Sequence, residues 1–418
     1  MTDRHGGCIV ALCACACFQF PSLAYAESLS HDDAIRIALE RAPVLQAQAR
    51  RVDGAHEAVT SAGRLPDPEL ILAVDNLPIE GGDAYSIGSD FMTMRRIGVM
   101  QPLPSGAKRK AQRASAEAYA SASESTLVQT QLDVARATSE AWIALSSRQE
   151  LVSAMETLLE QANLFAGAQR AGLAGGQITT LDALKGESSV TELKDRLIEA
   201  RRALKSSQAE LERWTGEPTV ELGAAPSTLQ LPVARETVLS ALHRHALVRA
   251  LDEQISAAQS QVDLAKAERR PDVSVGLAYA KRGSAYSDMV SVEFRMGLPI
   301  FTKHRQDPAI REKQAAVAEL QATRESELRM HASEAAAQLA AWDAARERLE
   351  LLDEERLPLA QQNSSAARAA YRSGMVSLAE LLESQMREAD LLTERAQRKN
   401  ELGQAWAYLR YLQPGDAP

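Results

Sequence analysis

Cysteine is nearly missing from this 418-residue chain: the four present, Cys8, Cys13, Cys15 and Cys17, all precede residue 18. A chain processed beyond that segment has no thiol, which excludes a cysteine nucleophile, a thiolate zinc site and a disulfide scaffold. Aromatic residues reach only 4%, low for a β-sandwich or an ordinary enzyme core. A basic excess is lacking too. The 47 Lys and Arg face 56 Asp and Glu, for a net charge of −9 and a pI near 5.5. That is the wrong sign for a chain whose main partner is nucleic acid. Beyond the N-terminal segment no apolar run is long enough for a membrane-spanning helix. No phosphate-binding Gly-rich loop, HExxH or GxSxG occurs. His243 and His245 lie two apart on a helix and share no face, so they read as ordinary surface or core residues rather than metal ligands. No catalytic group, cofactor or metal site is expected.

Targeting is the first positive signal. Cys8 to Phe20 is a short apolar run, followed by Ala24-Tyr25-Ala26. That pattern reads as a secretory signal over residues 1–26, cut after Ala26. A buried N-terminal helix is the alternative. Leu12-Cys13-Ala14-Cys15 is also a passable lipobox, which would put a lipid on Cys15.

Internal duplication dominates the rest. Ala38-Leu39, Arg41 and Pro68 recur 203 residues later as Ala241-Leu242, Arg244 and Pro271. Ala141-Trp142, Arg148 and Glu150-Leu151 recur 200 residues later as Ala341-Trp342, Arg348 and Glu350-Leu351. Chance matches between Ala-rich helices would not keep Trp and Pro in register, so two copies of one unit are expected, over 27–225 and 226–412, with a short tail at 413–418. Each copy opens on an amphipathic helix, Ser30 to Arg64 and Arg235 to Arg269. Two strand-like stretches follow, then a very long helix, a turn and a final helix. The long helices are expected over Ser105 to Arg170 and Asp307 to Tyr371, each about 100 Å at ~1.5 Å per residue. Asp307-Pro308 reads as an N-cap followed by Pro at the first helical position. Pro358 should bend or break the second long helix.

The strand-like stretches are Glu69 to Asn76, Phe91 to Gln101, Asp272 to Lys281 and Met289 to Leu298. The third alternates Val273, Val275, Leu277 and Tyr279 with Ser274, Gly276, Ala278 and Ala280. The fourth alternates Val290, Val292, Phe294 and Met296 with Ser291, Glu293 and Arg295. One face is apolar and the other small or charged, over the length of a transmembrane β-strand. A half-buried sheet in a soluble domain fits the pattern equally. The adjacent Arg95 and Arg96 place one Arg on the lipid side or at a headgroup rim. Four strands cannot close a useful barrel, and lipid tolerates no open sheet edge, so a membrane reading requires several chains to share one barrel.

The chain resembles the TolC family of outer membrane efflux proteins (outer membrane factors). The likeness rests on Leu29-x3-Asp33-Ala34-x3-Ala38-Leu39-x3-Pro43-x-Leu45, on Gln101-Pro102-Leu103 and Gly297-Leu298-Pro299-Ile300-Phe301, and on the turn from Tyr371 through Gly374 to Leu382. It covers residues 28–412, and the duplicated order of elements is its specific part. The resemblance implies a mainly α fold with a small β part: a long α-helical coiled-coil barrel plus four transmembrane β-strands per chain, closing a 12-stranded barrel as a homotrimer in outer membrane lipid. It implies a passive trans-periplasmic duct, gated at its periplasmic tip, working with a periplasmic adaptor (membrane fusion) protein and an inner-membrane pump of the RND type. The helix and strand style is similar to members serving heavy-metal cation pumps; drugs are the other cargo implied. A soluble periplasmic coiled-coil adaptor or scaffold is the alternative function.

The turns that end the long helices are the expected site. Gly172, Gly175, Gly176 and Gly374 can take positive φ and end a helix, and by resemblance these turns dock the adaptor. Glu380 and Glu383 lie three apart on one helical face, so a threefold pore would carry six carboxylates, a ring that attracts cations. Solvated surface charge is their other reading. The family's closed tip has acidic residues matched by Glu380 and Glu383, a Tyr matched by Tyr371 and an Asp matched by Asp182. Tyr371 and Asp182 are thus latch candidates. The family's Arg two residues past the turn glycine is replaced by Val376.

Overall fold

Two helices of unequal history dominate the molecule, one unbroken and one interrupted. The protein is described by a computed structural model over residues 28–174, 179–218 and 221–412. The signal segment, Cys15, Gly175 and Gly176 lie outside the described residues. Helices α1 (His31–Arg41) and α2 (Pro43–Ser61) lead to strands β1 (Glu69–Asp75) and β2 (Met94–Leu103). Helix α3 (Gly106–Ala174) follows, then α4 (Thr180–Thr215). The second half repeats the order with α5 (Arg235–Ala241), α6 (Ala246–Ala267), β3 (Val273–Lys281) and β4 (Met289–Met296). It continues with α7 (Gln306–Leu351), α8 (Leu357–Arg372) and α9 (Leu378–Arg410). At 69 residues α3 is about 100 Å long.

Four boundaries differ from the sequence expectation, each for a local reason. The first helix breaks at Ala42, because Pro43 cannot donate into the preceding turn and starts α2 instead. The helix expected from Arg235 breaks at a 3₁₀ turn, Leu242–Arg244, after which His245 caps α6 by accepting from the Leu247 N–H at 3.2 Å. Strand β2 starts at Met94 rather than Phe91. The Asp90 carboxylate draws the N–H groups of Met92 and Thr93 into a turn, at 2.8 and 3.0 Å. Helix α7 starts at Gln306, so Asp307 is not its cap. The Asp307 carboxylate sits in the first turn and accepts from Arg269. The expected break at Pro358 is present: a π-turn, Leu352–Arg356, separates α7 from α8.

The buried side chains form a long seam. Its middle gathers Trp142 and Leu145 of α3, Leu211 of α4, Trp342 of α7 and Leu402, Trp406 and Leu409 of α9. Further along, Met155, Leu158, Leu193 and Leu197 pack against Leu378, Leu381 and Leu382. Small residues let the helices close: a Cβ on Gly403 of α9 would lie 2.2 Å from Ile143 Cγ2 of α3. The strands form one antiparallel sheet, ordered β1-β2-β3-β4.

Candidate functional site

The sheet carries a continuous apolar face. Its register aligns Leu72 of β1 with Ile97 of β2, Ile97 with Tyr279 of β3, and Tyr279 with Val290 of β4. The next row joins Leu70, Val99, Leu277 and Val292. These side chains are exposed, Leu72 at 71% and Phe294 of β4 at 73%. Exposing such a block of large apolar side chains to water is unfavourable at about 25 cal/mol per Å². Strands β1 and β4 are the edges, each paired on one side only among the described residues.

Charge lies on the opposite face. Arg96 points inward and pairs with Asp75 of β1 at 2.9 Å and with Glu293 of β4 at 3.7 Å. Glu293 also accepts from Arg295. Arg96 reaches across β3 because that strand presents only small residues on this side, Ser274, Gly276, Ala278 and Ala280. Arg95 points to the apolar side, but at the strand's end, where its guanidinium reaches the Arg282 carbonyl at 3.5 Å. The two-arginine conflict of the sequence is thus resolved by one inward ion cluster and one rim residue. β2 and β3 need glycine for close approach, since a Cβ on Gly98 would stand 2.6 Å from the Ala278 Cβ.

The far end of the helices is the second element. Gly374 takes φ +75°. The Met375 N–H bonds to the Ala370 carbonyl at 2.9 Å and the Gly374 N–H to that of Tyr371 at 3.0 Å, so α8 ends in a Schellman motif. Ser377 then starts α9 with a capping box: its hydroxyl accepts from the Glu380 N–H at 3.3 Å, and the Glu380 carboxylate accepts from the Ser377 N–H at 2.9 Å. Glu383 is exposed and pairs with Arg387 at 3.4 Å. Tyr371 packs edge-on against Phe165 of α3, with centroids 5.7 Å apart, and burial pushes its phenol pKa up. Gly172 is a correction. It lies inside α3, which runs on to Ala174, because a helical glycine costs only about 1 kcal/mol against Ala and Leu173-Ala174 continue the helix. The Asp182 side chain lies outside the described residues.

One polar cluster escaped the sequence reading. The His245 and His331 rings stack at 5.1 Å, beside Arg136 of α3, Glu327 and Glu334 of α7 and Tyr408 of α9. Burial first, then the neighbouring His331 and Arg136 charges, lowers the His245 pKa to about 4. Nothing in linear spacing joins residues 245 and 331. Among the described residues no group of His, Cys, Asp and Glu has metal-binding geometry.

Comparison with known proteins follows the same outline. The family model for outer membrane efflux proteins matches residues 34–217 and 238–413. The cobalt-zinc-cadmium resistance protein CzcC of Cupriavidus metallidurans is 25% identical over 349 residues, 82% of this chain and 79% of that one. The solved outer-membrane channel OprN has the same fold, with TM-score 0.75 at 18% identity over 93% of this chain and 91% of its own. VceC of Vibrio cholerae matches with TM-score 0.74 at 17% identity over 91% and 95%. The open-state MtrE channel of Neisseria gonorrhoeae matches with TM-score 0.75 at 15% identity over 92% and 89%.

Proposed function

The chain belongs to the outer membrane efflux protein family, and from that premise we propose how its parts work. It is the outer membrane channel of an efflux system, with the sheet in the membrane and the helices in the periplasm. The soluble adaptor or scaffold alternative is set aside, because the family match runs through both halves and a sheet with an apolar outer face suits lipid. Family and fold are those of channels, not of enzymes.

In the proposed assembly three copies meet edge to edge, β1 of one against β4 of the next, and close a twelve-stranded barrel. The observation that carries this reading is the apolar sheet face together with its two open edges. Lipid covers the face, and only a second copy satisfies the edge N–H and C=O groups. The inward cluster of Arg96, Asp75, Glu293 and Arg295 then lines the barrel's interior. The two halves, 27–225 and 226–412, act as copies of one unit, preceded by a cleaved signal or a lipid-bearing Cys15.

The periplasmic tip is the proposed gate. Glu380 and Glu383 of three chains supply a ring of six carboxylates, and Tyr371 and Asp182 supply a latch between helices. The turns expected at Gly175-Gly176 and at Gly374 face the adaptor, behind which stands an inner-membrane pump of the RND type. Likeness to a cobalt-zinc-cadmium resistance protein supports divalent metal cations as cargo, and an acidic mouth suits them. The test is migration of unboiled protein from outer membrane fractions. A heat-sensitive trimer band is expected; a monomer in the soluble fraction overturns the reading.

A further inference from the structure

The apolar face of the sheet ends, on the side away from the helices, in two cations instead of another hydrophobic row. Outward residues of β2 run Leu103, Gln101, Val99, Ile97 and then Arg95, and those of β3 run Val273, Val275, Leu277, Tyr279 and then Lys281. Arg95 and Lys281 are direct partners in the register, and both are exposed. Their neighbour on β1 is Val74. Because β2 and β3 are the inner strands of the sheet, joining its edges to other copies leaves this position open. The helices meet the sheet at the Leu103 and Val273 end. At ~3.4 Å per residue and a strand tilt of about 40°, Leu103 to Arg95 rises about 20 Å, close to the ~25 Å apolar band of a membrane barrel. The two cations therefore stand at the outer rim of that band.

Like charges directly opposite on neighbouring strands destabilise a sheet, and the chain supplies nothing to offset this pair. Among the described residues neither cation has an ion-pair partner, and the Arg95 guanidinium donates to the Arg282 carbonyl at 3.5 Å. The carboxylates beside this row are engaged elsewhere. Asp75 pairs with Arg96 on the inward face at 2.9 Å. Asp90 holds the Met92 and Thr93 N–H groups. Asp288, which leads into β4, accepts from the Tyr279 hydroxyl. Arg282 is occupied too: it donates to the Ser287 carbonyl at 3.0 Å, with its guanidinium carbon 5.4 Å from the centre of the Tyr286 ring. A planar fork and a point charge are left side by side, a donor set that suits a phosphate.

We propose that Arg95 and Lys281 bind the phosphate of a lipid headgroup in the outer leaflet of the membrane, with the lipid's acyl chains lying on the apolar rows beneath. The inference rests on the reading of the sheet as part of a membrane barrel and names a ligand for its outer rim. Continuity commits the site to a lipid rather than a free anion. Ile97 and Tyr279 form the very next outward row and join Leu72 and Val290, all exposed. One molecule with a phosphate head and acyl tails covers both the cations and this row. The anion also relieves the repulsion between the two charges, so the lipid stabilises the β2–β3 pairing at its outer end. A threefold assembly carries three such sites.

The experiment uses full-length trimers purified from outer membranes in non-ionic detergent, titrated with bisphosphorylated lipid A and read by native mass spectrometry. Wild type should bind one lipid per chain. Arg95→Gln combined with Lys281→Gln should weaken binding about thirtyfold, the effect of two cations at a charged membrane surface. Lys281→Gln alone should weaken it about fivefold and serves if the double variant fails to assemble. The exchange of Arg95→Lys with Lys281→Arg should restore binding to within a few-fold of wild type. Lys303 and Arg305 are exposed on the helix side of the sheet, and Lys303→Gln with Arg305→Gln removes the same charge there without effect. Wild-type affinity in the Arg95 and Lys281 double variant, equal loss in the Lys303 and Arg305 variant, or equal affinity for lipid A stripped of its phosphates overturns this inference alone. Inorganic phosphate that competes as well as lipid A at equal concentration assigns the pair to a free anion and overturns the lipid. A wild type that forms no trimer in outer membranes overturns the barrel reading, and this inference with it.

Discussion

Trp142 of α3 donates its indole N–H to the Leu29 carbonyl at 3.0 Å, and Trp342 of α7 does the same to the Thr228 carbonyl at 3.0 Å. Each indole pins the segment that leads into the first helix of its own half. The Leu29 carbonyl also accepts from the Gly223 N–H at 2.9 Å, and the Leu29 N–H donates to the Glu221 carbonyl at 3.0 Å. In the first half the entrance segment is thereby tied to the segment that closes the same half. Trp142→Phe keeps most of the buried area and removes the bond. Stability should fall by about 1 kcal/mol, because Gly223 still serves the carbonyl. Trp342→Phe should cost at least as much. Thermal melts of both variants check this, and a melt equal to wild type for both would remove the indole bonds from the account.

Acid should weaken the molecule through His245. Its pKa is lowered from 6.5 to about 4 in the folded chain. The unfolded chain therefore takes up the proton first as pH falls. The stabilisation is complete above pH 6.5 and is lost progressively down to about pH 4, by up to roughly 3 kcal/mol. Asn at this position can still cap α6 without titrating. Denaturation midpoints of His245→Asn should thus fall less steeply than those of wild type between pH 6.5 and 4; parallel curves contradict the assignment.

Charge and capping can be separated at the tip. Gln retains the capping box that Glu380 makes with Ser377, whereas Ala does not. Glu380→Gln combined with Glu383→Gln should reduce cation preference in bilayers while leaving the melting temperature near wild type. Glu380→Ala should lower the melting temperature as well, by about 1 kcal/mol of helix stability. Unchanged selectivity in the double Gln variant takes both residues out of the gate.

Much of the fold was legible because its signals are periodic. The alternation in β3 and β4, the Pro358 break and the positive φ of Gly374 follow from residue type and spacing alone. Boundaries were less legible where a side chain far away decides them. Asp307 looks like a cap until Arg269 takes its carboxylate, and the start of β2 depends on the Asp90 turn. At the tip, the sequence marked Glu380 for charge, but its cap with Ser377 appears only in three dimensions. The His245–His331 stack lies beyond any linear motif, because burial depends on which helices meet.

Edge pairing between copies is the most direct measure of the whole account. All four native cysteines precede residue 18, and none lies in the sheet to interfere. Ala73→Cys on the inward face of β1 can be combined in turn with Met289→Cys, Ser291→Cys or Glu293→Cys on the inward face of β4. At least one pair should oxidise to a covalent trimer in outer membranes and dissolve to monomer on reduction. Disulfides formed only within one chain, or none at any register, would contradict the shared barrel.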